Sequence, residues 1–217
     1  MIFRIPDILS ADELQQIQAQ LVEAEFVDGK LTAGWYAKQV KHNQQVRSEQ
    51  AKDLKEQTRA ALNRHPLFQA AVRPKRIHTL LFSRYEVGMS YGRHADNALM
   101  GQWRSDVSFT LFLSPPAAYE GGELAIEGAD DEQSYKLPAG SALFYPASTL
   151  HRVDPVTQGT RLVAVGWVQS LVRDPAKREL LFDLDTVRRS LFAREGKSDE
   201  FDLLSKSVAN LLRRWVE

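Results

Sequence analysis

The chain has 217 residues, 28 Lys and Arg against 28 Asp and Glu, five His and no Cys. Its length lets it bury enough apolar surface to fold without covalent or metal staples, as one embellished domain or two small ones. Zero net charge with no long basic block argues against nucleic acid as a partner, and the missing cysteines exclude disulfides, thiolate nucleophiles and Cys-ligated metals, so any metal must be held by His and carboxylate.

The opening stretch Met1–Ser10 carries Arg4, Pro6 and Asp7, which breaks the basic start and continuous apolar core of a signal peptide. No apolar run approaches the roughly 18 to 20 residues of a spanning helix, so a soluble, cytoplasmic protein without a membrane partner is expected. Ser10 and Glu13 form a capping box, and Leu14, Ile17, Leu21 and Val22 recur at helical spacing, predicting a helix from near Ala11. Residues 28–46, with Trp35 and Tyr36, read equally as strand or loop. A second helix is predicted from about Ser48 through Leu62, with Pro66 as its stop.

From Arg76 to Ser170 the texture changes to short runs rich in Val, Ile, Phe, Tyr and Thr, punctuated by Pro115-Pro116, Gly121-Gly122, Pro138-Gly140 and Gln158-Gly159. This predicts an antiparallel β sandwich or barrel. From Asp174, an N-cap followed by Pro175, the pattern reverts to helix, with Leu180, Leu181, Leu184, Val187, Leu191 and Phe192 assigned to one apolar face. A second such stretch runs from Ser198 to Trp215, and Gly196 reads as the cap between the two. The expected division is 1–75 as helical and strand support, 76–172 as the β core and 173–217 as a C-terminal helical hairpin. The hairpin is assigned to packing against the core, with a homodimer contact as the alternative.

Two of the five histidines have partners. His94 and Asp96 are two residues apart, a spacing that puts both side chains on one face of an extended segment, and His151 follows a second strand-like run. Two imidazoles and a carboxylate are the ligand set that holds non-haem Fe(II) while leaving three coordination positions open. A 2-oxo acid can occupy two of those positions and dioxygen the third. The far carboxylate of such an acid needs a cationic anchor, and Arg161, ten residues after His151 at the start of an apolar strand, is the side chain suited to a two-point grip. Its strand parity matches Val163, Val165 and Trp167. The bland readings are a solvated His in an Asp turn, a strand-end His151 and a strand-terminal Arg161. The ordered set outweighs them jointly, whereas His42, His65 and His78 stay structural and Trp35, Trp103, Trp167 and Trp215 are assigned to packing. Asn97 to Ser105, containing Trp103, is a candidate lid.

His94-Ala-Asp96, Gly121-Gly-Glu-Leu124, Pro138-Ala-Gly-Ser-Ala-Leu-Phe144, His151 and Arg161, in that order, resemble the iron and 2-oxoglutarate dependent dioxygenases of the prolyl 4-hydroxylase type. Over nearly its whole length, including the opening IPDILS and the closing NLLRRW, the chain resembles the bacterial PKHD-type hydroxylases. The resemblance implies a double-stranded β-helix (jelly-roll) core with N-terminal helices and a C-terminal helical hairpin. It further implies Fe(II) ligands His94, Asp96 and His151, Arg161 on the distal carboxylate of 2-oxoglutarate, and Tyr85 as a further residue near that co-substrate. Asp96 in place of a small residue argues against halogenation. Dioxygen and an unidentified substrate complete the reaction, and L-ascorbate is associated with the family as auxiliary reductant. The competing function is a non-catalytic metal- and keto-acid-binding jelly roll acting as a sensor or interaction module.

Overall fold

The computed structural model describes residues 1–217. The Ser10 hydroxyl accepts from the Glu13 amide and the Glu13 carboxylate accepts from the Ser10 amide, closing the capping box that starts α1 (Ala11–Glu23). A 3-10 turn over Ser48–Ala51 leads into α2 (Lys52–Arg64). Pro66 does more than stop that helix: it is the first residue of α3 (Pro66–Val72), the position where a missing N–H costs nothing. The C-terminal pair is α4 (Pro175–Glu195), capped by Asp174, and α5 (Asp199–Trp215), capped by Ser198.

The ambiguous stretch after α1 resolves into short pieces: β1 (Phe3–Ile5) precedes it, then β2 (Phe26–Asp28), two 3-10 turns, β3 (Lys41–His42) and β4 (Gln44–Val46). The β-rich middle holds β5 (Pro74–Tyr85), β6 (Ser90–His94), β7 (Leu99–Met100), β8 (Trp103–Arg104), β9 (Val107–Phe112) and β10 (Tyr119–Gly121). It continues through β11 (Leu124–Glu127), β12 (Glu132–Tyr135), β13 (Ala142–Pro146), β14 (His151–Val153), β15 (Val156–Gly159) and β16 (Arg161–Ser170). Gln158-Gly159, expected as a break, lies inside β15, where Gly159 at φ +72° pairs with Tyr119 of β10. A Cβ at Gly159 would lie 2.1 Å from the Ala118 carbonyl oxygen, so only glycine fits this end of the ribbon, whose register shift falls at the other end, between Glu120 and Gly121.

A seven-stranded sheet, β1-β13-β9-β16-β5-β4-β2, and a five-stranded sheet, β12-β11-β14-β6-β3, form the double-stranded β-helix, with every pairing antiparallel. Alternation along β9 shows how the sheets are used. Val107, Phe109 and Leu111 join a 23-residue cluster with Ile17, Leu54 and Phe68 of the N-terminal helices, whereas Ser108 and Thr110 face the internal cavity. Phe144, fully buried on β13, stacks with Phe3 at 5.1 Å and meets Phe68 and Phe109, which ties helices to sheet. A second cluster, including Phe112, Leu124, Leu143 and Val163, lies between the sheets, and its members Tyr85, Leu124, Tyr145 and Val153 also line the internal cavity.

The C-terminal hairpin closes over Val172, Leu181 and Val208. The face expected for α4 is buried only in part: Leu181 is buried and Leu184 packs against its cluster, whereas Leu180, Val187 and Phe192 are exposed and Arg178 and Asp185 are buried instead. The charged pair is tolerated because the Arg178 guanidinium donates to the Val172 and Arg173 carbonyls and the Asp185 carboxylate accepts from Arg188 and Arg189. No helix is long and apolar enough to cross a membrane.

Candidate active site

β6 and β14 are neighbours in the smaller sheet, and their register sets His94 directly opposite His151, with ring centroids 4.3 Å apart. His94 Nδ1 lies 2.8 Å from the Gly92 carbonyl oxygen and His151 Nδ1 lies 3.0 Å from that of Thr149. A carbonyl only accepts, so each Nδ1 carries the proton and each Nε2 turns a lone pair toward the cavity. Burial, and then the facing His151, lower the pKa of His94 and hold it neutral.

Asp96 lies two residues beyond the end of the strand, yet faces the same side as His94, as its spacing predicted. β6 ends at His94, and irregular backbone carries Asp96 to the same cavity as His94, with its amide donating to the Ala147 carbonyl at 3.3 Å. The Ser108 hydroxyl then donates to Asp96 Oδ2 at 2.5 Å and holds the carboxylate facing both Nε2 atoms. Oδ1 is 4.0 Å from His94 Nε2, and Oδ2 is 3.9 Å from His151 Nε2. One ligand atom from each residue lies within 4.8 Å of the others, too far apart for hydrogen bonds but close enough to share one cation.

Arg161 opens β16 opposite Tyr85, the last residue of β5. Its side chain is 1% exposed, and Nε, Nη1 and Nη2 all lack a hydrogen-bond partner. The guanidinium carbon sits 4.9 Å from the Tyr85 ring centroid and 5.6 Å from that of Phe112. A buried cation with every donor free is costly alone and suited to an oxyanion. The Tyr119 hydroxyl is also buried and unpartnered.

The Gly121-Gly122 pair makes room for this anchor. Both residues have positive φ, +69° and +67°; a Cβ on Gly122 would lie 3.0 Å from Arg161 Cδ and 2.9 Å from Val156 Cγ2, and one on Gly121 would lie 2.1 Å from the Pro155 carbonyl oxygen.

The three potential ligands, Arg161 and Tyr85 share one cavity of about 430 Å³, within the range of small-molecule sites. Asn97, Met100 and Gly101 of the expected lid line it, and Trp103 packs under the Arg76 guanidinium at 4.0 Å. Trp35 departs from its packing assignment: it is 81% exposed beside Tyr36, which lines the cavity and donates to the Ala95 carbonyl. The composition of residues 28–46 shows an aromatic but not which side the short 3-10 turns present. His42, His65 and His78 stay outside the lining.

Sequence reasoning missed Ser108 and Lys41. Ser108 and Thr110, hydroxyls at i and i+2 in an otherwise apolar strand, were a legible sign of a wet face. Lys41 had no such signal. It is 5% exposed, and burial pulls its pKa down to about 8, which leaves it protonated at neutral pH.

Two sheets enclosing a two-His, one-carboxylate cluster and a deeply buried Arg carry the donor set of a 2-oxoglutarate and Fe(II) oxygenase. A model of the 2OG-Fe(II) oxygenase superfamily matches residues 80–169, and one of the PKHD-type hydroxylase C-terminal domain matches residues 175–217. PKHD-type hydroxylases of Picosynechococcus sp. and Gloeothece citriformis are 67% and 66% identical to it, with all of both chains covered in each case. The chain therefore belongs to the PKHD-type hydroxylase family.

Among solved structures, a Trichoplax adhaerens prolyl hydroxylase in complex with a hypoxia inducible factor peptide superposes with a TM-score of 0.58 at 16% identity, over 82% of this chain and 86% of that one. A Pseudomonas putida prolyl-4-hydroxylase gives 0.51 at 22%, over 78% and 92%. These two share the fold. The enzyme is an Fe(II)- and 2-oxoglutarate-dependent dioxygenase, and the hydroxylase relatives favour catalysis over the binding-module alternative.

Proposed function

We propose that His94, Asp96 and His151 hold the Fe(II), that Arg161 grips the distal carboxylate of 2-oxoglutarate beside Tyr85, and that the enzyme hydroxylates a substrate admitted past the 97–105 hairpin. The observation that carries this reading is the pairing, in one cavity, of a three-ligand cluster with a buried guanidinium whose three nitrogens are all unpartnered. Iron held there supplies dioxygen activation coupled to decarboxylation of 2-oxoglutarate, with one oxygen atom entering succinate and the other the substrate.

The chain's own groups do the rest. The Gly92 and Thr149 carbonyls keep both imidazoles in the tautomer that offers Nε2, and Ser108 holds the carboxylate in place. Arg161 orients the co-substrate, and the apolar walls at Leu81 and Val165 limit water in the cavity.

Within this reading residues 76–172 carry the site, residues 1–75 support it with helices and strands, and residues 173–217 brace it as a hairpin. The cytoplasm is the compartment that provides 2-oxoglutarate, and L-ascorbate, supported only by the family resemblance, acts as a reductant from solution. The test is succinate release in air from protein loaded with Fe(II) and 2-oxoglutarate. Turnover in the parent and its loss in Arg161→Ala are expected, whereas equal turnover in Arg161→Ala would overturn the anchor.

A further inference from the structure

Lys41 is the one charged group of the cavity that neither the iron site nor the co-substrate uses. It lies on β3, the edge strand of the smaller sheet, paired with Tyr91 of β6. Its single hydrogen bond runs from Nζ to the Thr32 hydroxyl at 3.1 Å, and that hydroxyl in turn donates to Gln45 Oε1 at 2.6 Å. Two ammonium protons are left without a partner in a residue 5% exposed. The ammonium sits 5.2 Å from the Tyr91 ring centroid, and that ring stacks on His94 at 3.7 Å, so Lys41 stands one side chain away from the iron site.

Charge bookkeeping for the loaded site sharpens the point. Divalent iron, the Asp96 carboxylate, dianionic 2-oxoglutarate and the Arg161 guanidinium cancel, which leaves the Lys41 ammonium as surplus positive charge in a low-dielectric cavity. Buried surplus charge is stabilised by an opposite charge with hydrogen-bond contact. A lysine, as a compact point charge on a flexible stem, suits an oxyanion without demanding planar geometry. Resting on the iron and co-substrate reading above, we infer that Lys41 anchors an oxyanion of the prime substrate, a carboxylate or a phosphate monoester, and so sets which molecules are placed for hydroxylation.

The probes are N-acetyl amino acids with free carboxylates and their matched carboxamides, and N-acetyl-phosphoserine amide, in which phosphate is the only anion, with N-acetyl-serine amide as its neutral match. Each is titrated anaerobically into protein loaded with Fe(II) and 2-oxoglutarate, with binding read by ligand-observed NMR. At least one anionic probe should bind ten times more tightly than its neutral counterpart. Lys41→Met should abolish that preference, and Lys41→Arg should retain part of it. Preference for the acids assigns a carboxylate, and preference for the phosphoserine amide assigns a phosphate. Acids that bind the parent no better than their amides, together with a phosphoserine amide that binds no better than its serine amide, would overturn the assignment even if Lys41→Met failed to fold, as would the absence of any binding. So would a preference that survives Lys41→Met, or a tenfold loss of 2-oxoglutarate affinity in that variant, which would place Lys41 in the co-substrate site. A parent that does not bind 2-oxoglutarate would defeat the co-substrate reading and this one together. Normal 2-oxoglutarate binding without anion preference would defeat the Lys41 anchor alone.

Discussion

Replacing Arg161 by Met should have opposite consequences for the empty and the loaded protein. In the ligand-free chain the guanidinium is 1% exposed with no hydrogen-bond partner at any nitrogen. Its desolvation costs several kcal/mol, offset by about 0.5 to 2 kcal/mol from the Tyr85 and Phe112 rings and by water entering a cavity of about 430 Å³. Methionine refills most of the volume without the charge, so the empty protein should be unchanged or more stable by up to about 2 kcal/mol. In a chain of this size each kcal/mol moves Tm by roughly 2 to 4 °C.

For the loaded protein the sign reverses. Leaving the distal carboxylate buried without its partner costs about 3 to 5 kcal/mol, on the order of a hundredfold or more in Kd. At a 2-oxoglutarate concentration of 100 times the parent Kd, the parent gains about 2.7 kcal/mol of ligand stabilisation, most of which the variant lacks. Melting curves with and without 2-oxoglutarate, both with a bound redox-inert divalent metal, measure the two effects. A variant that melts several degrees below the parent without ligand, or that shows the parent's full shift with it, would refute the reasoning.

Ser108→Ala removes the hydrogen bond that fixes Asp96 and should weaken iron binding about 10- to 100-fold with little change in fold; competition with a calibrated chelator measures it, and unchanged affinity would remove Ser108 from the site. Gly122→Ala puts a methyl group against Val156 and Arg161 at φ +67° and should cost about 1 to 3 kcal/mol in urea unfolding while raising the 2-oxoglutarate Kd; a neutral substitution would contradict the packing. Arg64, first through its hydrogen bonds, lowers the pKa of Glu13 to about 2. The folded pKa lies below the unfolded one, so this contribution is complete above about pH 4.5 and is lost as pH falls through about 2. Discounted for the half-exposed guanidinium, it is worth about 1 kcal/mol. The stability gap between parent and Glu13→Gln should therefore be flat above about pH 5 and close on acidification; a gap that widened in acid would contradict the sign.

The parts of the site legible in the sequence are those whose chemistry restricts residue type. Only His and carboxylate could hold a metal in a chain without Cys, and only Arg offers a planar two-point grip, so His94, Asp96, His151 and Arg161 stand out by identity and order. The capping residues Ser10 and Asp174 were legible because their bonds are local. Ser108 and Lys41 act through partners that the fold supplies, Asp96 for Ser108 and Thr32 and Tyr91 for Lys41; the hydroxyls at 108 and 110 mark a polar strand face, but nothing in the local sequence names either partner. The α4 face is only partly legible, Leu181 and Leu184 packing inward as expected, because a count of apolar residues overlooks charged ones, Arg178 and Asp185, whose polar partners let them be buried. Pro66 shows a further limit, since the same residue ends one helix or begins the next according to the turn before it.

The most direct test of the iron assignment is metal analysis of the parent, His94→Ala, Asp96→Ala, His151→Ala and the control His42→Ala, all reconstituted anaerobically with Fe(II) and desalted against a weak chelator. One iron per chain is expected in the parent and in His42→Ala. Each of the three site variants should retain none, because two remaining protein ligands do not compete with water and chelator. Full iron stoichiometry in any one of them would remove that residue from the ligand set.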